Sequence, residues 1–84
     1  MNFVVDCQEC QRISAEYEAA TMDWFRVQAQ LRVAEYSRDE ESSNRIIEEL
    51  GAISSRRHGL REAAEKHYLE AHPRAAAASG DFHF

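Results

Sequence analysis

Apolar side chains recur along the first half of the chain at Ile13, Tyr17, Ala20, Trp24, Val27, Leu31 and Ala34, in alternating steps of four and three. This is a heptad stripe, the seam of an α-helix that lies against another helix. Carried back by three residues, it lands on Cys10. No Pro or Gly interrupts Cys7 to Tyr36, so the pattern predicts one long helix over about residues 6–37. Asp6 with Glu9 has the spacing of a capping box, and Val5 with Cys10 that of a hydrophobic staple.

A second stripe runs through Ile46, Leu50, Ile53, Arg57, Leu60, Ala64, His67 and Ala71. It predicts a helix over about residues 39–72, flawed at Arg57. Gly51 and Gly59 weaken it by about 1 kcal/mol each relative to Ala, and small residues also permit close helix approach. Glu62 and Lys66 have the spacing of a supportive i,i+4 pair. Between the stripes lies the polar run 37–44. Within it, Ser37 with Glu40 is one capping box and Ser43 a later cap. His72-Pro73 ends the second helix, because a residue before proline is pushed out of the helical region.

The expected fold is therefore all-α: an antiparallel, coiled-coil-like two-helix hairpin over residues 1–73, with a C-terminal tail over 74–84. In that tail Ala75 to Ala78 extend a turn of helix, while Phe82 and Phe84 are suited to sticking to a neighbour. His83 in the tail carries no chemistry.

A hairpin of two helices has no third layer, and chains this small usually need a staple or a partner. Helix 1 also carries a second apolar set, Met22, Phe25, Ala29, Val33 and Tyr36. An arc this wide points to packing against more than one helix. The expected solution is a homodimer completing a four-helix bundle.

Composition narrows the function. With 84 residues, 3 Gly, 1 Pro and a net charge of −5, the chain suits one small helical domain. It lacks the basic field that nucleic acids and anionic membranes require. No stretch approaches the roughly 18 apolar residues of a membrane span, and Met1 to Asp6 does not read as a signal peptide. The expected compartment is the cytoplasm, where thiols stay reduced.

Two residue pairs carry specific chemistry. Cys7 and Cys10 form Cys-x-x-Cys near the start; His67 and His72 form His-x4-His near the end. With a turn near 37–44, facing residue numbers sum to about 75–80, which brings both pairs to the open end of an antiparallel hairpin. Two thiolates and two imidazoles are the donor set of a tetrahedral Cys2His2 site for Zn2+. One obstacle is angular: positions i and i+5 stand about 140° apart on a regular helix. The break before Pro73 lets His72 swing inward.

Two other readings use the same residues. In one, Cys10 is plain core, His67 is hydrogen-bonded near it and His72 is exposed. In the other, Cys7 begins a helix whose dipole lowers its thiol pKa, giving a redox or reversible metal-handling pair.

Other chemistry is not supported. A di-iron bundle needs Glu-x-x-His, but Ser55, Ala64 and Leu69 precede His58, His67 and His72 by three. The glutamates read as a solvated face. Arg56, Arg57 and Arg61 with His58 form a small basic patch suited to acidic residues of a partner chain such as Glu16 or Glu18. The expectation is a non-enzymatic interaction or structural module.

Overall fold

The computed structural model describes residues 4–79. They form three helices: α1 (Gln8–Tyr36), α2 (Glu40–Ala71) and α3 (Pro73–Ser79). α1 and α2 pack along their length as the expected antiparallel hairpin, 53 × 28 × 14 Å overall. The 14 Å dimension is close to the diameter of a single helix, so the hairpin is one layer thick.

The core follows the predicted stripes. Ile13, Ala20, Val27 and Ala34 of α1 are buried, as are Ile46, Ile53, Ala64 and Tyr68 of α2. Val27, Ala34, Ile46 and Ile53 form the central cluster, with Trp24, Leu31 and Leu50 packed against it. Near its end the α2 seam departs from strict heptads: Tyr68 is buried and Ala71 is exposed. A 3.6-residue helix drifts by about 20° per heptad, and about three heptads after Ile46 the drift has carried the neighbouring position, Tyr68, inward.

Arg57 is not a flaw in the seam. Its Nε donates to Thr21 Oγ1 at 3.1 Å and its Nη2 to Tyr17 Oη at 3.2 Å. Its guanidinium also lies over the rings of Tyr17 and Trp24. The apolar stem packs while the planar head bridges to α1. One helix position earlier, Arg56 donates to Asp23 at 3.0 Å. The Arg57–Thr21 and Arg56–Asp23 contacts sum in residue number to 78 and 79, within the expected register. Arg56 thus meets an acid of its own chain, and Glu16 pairs with Arg12. Glu62 pairs with His58 at 3.0 Å.

The turn is shorter than the polar run implied, and both expected caps are replaced. Arg38 has φ 59°, its N–H bonds Glu35 O at 3.1 Å, and Asp39 N–H bonds Ala34 O at 2.9 Å. This is a Schellman closure of α1. It occupies Ser37 and Arg38, leaving Asp39 to cap α2 by accepting from Ser42 N–H at 3.1 Å. At the start of α1 the N-cap is Cys7, not Asp6. Glu9 turns to Arg12 instead of back to the cap. Val5 is 69% exposed, so no staple forms; its carbonyl accepts from Gln11 Nε2.

Gly51 and Gly59 do not mediate close helix approach. Both are exposed, and a Cβ added at either meets nothing within 4 Å. Their only local effect is the entropic cost of glycine in a helix. Gly51→Ala and Gly59→Ala are each expected to stabilise the fold by about 1 kcal/mol, read as a higher urea midpoint at unchanged slope.

At the other end, His72 (φ −131°, ψ 53°) breaks the helix. Its N–H bonds Tyr68 O at 2.9 Å, and its carbonyl accepts from Ala76 N–H at 3.0 Å. It therefore closes α2 and opens α3, with Pro73 in the first helical position, where its missing N–H costs nothing. The alanine run forms α3 rather than the first part of a tail, and Ala76 is buried. The tail residues Phe82, His83 and Phe84 lie outside the described residues.

Candidate metal centre

The open end of the hairpin gathers four donor side chains. Cys7 sits at the N-cap of α1, and Cys10 lies one turn along on the seam. His67 comes from the last turns of α2, and His72 from the break before α3. One ligand atom from each lies within 4.8 Å of all the others. Cys7 Sγ and His67 Nε2 are 3.2 Å apart. The edges of a tetrahedral zinc site measure about 3.3–3.8 Å, given Zn–S near 2.3 Å and Zn–N near 2.0–2.1 Å. The four ligand atoms are thus close enough together to hold one ion.

Local structure explains each placement. Cys7 and Cys10 share one side of the first turn of α1 because i and i+3 are neighbours on a helix. The same spacing lets Cys10 N–H donate to Cys7 Sγ at 3.4 Å, so the capping group of α1 is itself a donor of the cluster. His67 lies on the seam, as expected from its position in the stripe. His72 would point away on a continuous helix. The break before Pro73 turns its ring back until it stands 5.1 Å from the His67 ring, edge-on at 75°.

His72 departs from the plain-packing reading, in which it is exposed. Its Nε2 is buried and has no hydrogen-bond partner. A buried polar atom without a partner costs free energy comparable to a lost hydrogen bond. A cation held by the neighbouring thiolates would satisfy it.

The chain matches no known family model, curated protein or solved structure. What the site does is therefore argued from its own chemistry.

The two thiols differ. The Cys7 thiol is half-buried and held down to about 6. The chief cause is the Cys10 backbone N–H, followed by the hydrogen bond to His67. Burial pushes the Cys10 thiol up. Both are free thiols. Placing a dication between them favours the thiolate at each position, because ligation requires deprotonated sulfur.

Two neighbours were not evident as contributors to the site. Tyr68 is buried with its ring 6.4 Å from that of His72. Its position four after Ala64 and four before His72 was the available signal. Glu9 stands on the exposed side. Its carboxyl is held down mainly by Arg12, with a smaller contribution from His67.

In the metal-free protein, Cys7 is expected to be alkylated by iodoacetamide well before Cys10. The rate should rise with a midpoint near pH 6, not near 9. Peptide mapping by mass spectrometry after brief labelling checks both statements. A thiol whose folded pKa is depressed adds stability that is fully present above its unfolded pKa. That stability is lost as pH falls through the folded value, here over the window from about 9 down to about 6.

Proposed function

We propose that this chain is a non-catalytic helical-hairpin module whose open end is closed by one structural Zn2+ on Cys7, Cys10, His67 and His72. The observation that carries this is the convergence of four zinc-type donors, two from each helix arm at the open end of a long hairpin, within 4.8 Å. Two thiolates with two imidazoles suit Zn2+ better than Mg2+ or Ca2+, which prefer oxygen donors. Four protein ligands leave no open position for substrate or water, which is the signature of a structural site. A clamp supplies the cross-link that a hairpin one layer thick otherwise lacks. A reducing compartment such as the cytoplasm keeps both thiols available for it. The module then works through protein contacts along its faces.

A second reading is favoured by one observation, the depressed Cys7 thiol beside the raised Cys10 thiol. In that reading the pair cycles between dithiol and disulfide, or takes up and releases metal.

Cobalt substitution separates the two. Co2+ added to the apo protein should give the visible bands of a tetrahedral site with near-ultraviolet thiolate charge transfer, saturating at one ion per chain. His72→Ala should weaken and red-shift the visible bands, because water replaces an imidazole. If His72→Ala leaves the spectrum unchanged, the four-ligand clamp is wrong. If the thiols also react freely in the presence of zinc, the second reading stands.

A further inference from the structure

The metal clamp accounts for one end of the hairpin and leaves unexplained the outer face of α1 toward the turn. Met22, Phe25, Val33 and Tyr36 are between 58% and 90% exposed, and Ala29 between them is exposed as well. At 100° per residue these five positions point about 120–180° away from Val27, which is fully buried against α2. They form a stripe on the side of α1 opposite its partner helix. Scattered exposed apolar residues need no explanation, but a continuous row marks an interface.

The stripe identifies its occupant by its own symmetry. The steps from Met22 through Phe25, Ala29 and Val33 to Tyr36 are three, four, four and three. This order reads the same in both directions about Ala29. A second α1 laid antiparallel, with a two-fold axis at Ala29, puts Ala29 on Ala29, Phe25 on Val33 and Met22 on Tyr36. Each large side chain meets a smaller or more flexible one, and the helix separation stays even. A parallel pair would set Phe25 on Phe25 and Tyr36 on Tyr36 on either side of an alanine gap. Arg26 and Arg32 border the stripe on opposite sides in the antiparallel arrangement, so they do not oppose each other across the axis.

Residues 73–84 are too short to cover the whole stripe. Residues 80–84 span at most about 17 Å fully extended, and α3 adds about 10 Å. Val33 lies 26 residues beyond Cys7 on α1, about 39 Å away from the end where α3 begins. On α2 the large exposed apolar residues are only Ile47 and Leu69 among those described. They are 22 positions apart and make no stripe.

We infer that the outer face of α1 binds a second copy of this chain through an antiparallel α1–α1 contact centred on Ala29. The result is a four-helix assembly with the two α1 helices in the middle and the two α2 helices outside. This differs from a square bundle, in which both helices of each hairpin would share the interface. The contact covers about four helical turns, at the small end of specific interfaces, so it exchanges with monomer on dilution. The inference is independent of the metal site, which lies at the far end of α1.

The test is a charge-reversal pair in the full chain, read by light scattering coupled to size exclusion. The parent should approach twice the chain mass at high micromolar concentration and fall toward the monomer on dilution. Phe25→Glu alone and Val33→Lys alone should be monomeric, with helicity and metal content like the parent. Mixed in equal amounts they should dimerise again, because one glutamate then faces one lysine while the other Phe25–Val33 pair stays native. Ala29→Glu, at an exposed position on the axis, should also be monomeric. A parent that stays monomeric throughout overturns the proposal, as does dimerisation of either single variant at parental strength. A mixture that stays monomeric overturns the antiparallel register.

Discussion

Stripping the proposed zinc from this protein is expected to lower its melting temperature by about 15 °C or more. The proposed clamp would tie residue 7 to residue 72. A cross-link closing a loop of about 60 residues removes about 4 kcal/mol of chain entropy from the unfolded state. For a domain of this size each kcal/mol moves the melting temperature by about 4–8 °C. Structural zinc sites bind with free energies larger than this figure, reduced by whatever affinity the unfolded Cys and His residues retain. The measurement is a circular dichroism melt before and after treatment with a chelator, with zinc restored at the end. Cys7→Ser with Cys10→Ser should melt like the stripped protein and fail to respond to zinc. If the double variant melts like the zinc-loaded parent, the clamp contributes no stability and the account fails at its centre.

The second large effect concerns the core. Ile53→Ala is expected to leave the metal-free protein largely unfolded at room temperature, and added zinc is expected to refold it. Ile53 is 8% exposed and belongs to the cluster with Val27, Ala34 and Ile46. Truncating a buried isoleucine to alanine costs about 2–5 kcal/mol. A two-helix hairpin buries too little surface to carry much more stability than that. Because zinc binds the folded state more tightly, micromolar zinc should shift the equilibrium back. Helicity followed during a zinc titration tests this, with magnesium as the control. An apo Ile53→Ala that is fully helical would mean that the hairpin is stable without its staple. An unfolded one that ignores zinc would mean that there is no site to stabilise it.

The hairpin was legible because its determinants are local and periodic. The stripes from Ile13 to Ala34 and from Ile46 to Ala64 need only a 3.5-residue repeat to be seen, and Pro73 marks the break by its covalent structure. The donors were legible for a related reason. Cys10 and His67 lie on the facing stripes, so the antiparallel register alone brings them together.

What could not be read depends on competition between side chains for the same backbone group. Asp6 and Cys7 are both able to cap α1, and it is Cys7 whose side chain accepts from the Cys10 N–H. Ser37, Asp39 and Ser43 all have capping oxygens. The left-handed Arg38, a residue with no special preference for that conformation, decided for Asp39. Arg57 appeared as a fault because its partners, Tyr17 and Thr21, lie forty and thirty-six positions away. The orphaned Nε2 of His72 is a property of three-dimensional burial with no counterpart in the sequence.

The central claim is that this hairpin is closed by a metal ion at Cys7, Cys10, His67 and His72. Its most direct test is the metal content of the untagged protein, purified without chelator, by inductively coupled plasma mass spectrometry. The account predicts one zinc per chain in the parent and none in the Cys7→Ser, Cys10→Ser double variant. A parent that carries no metal and takes up none when zinc is added back would contradict it.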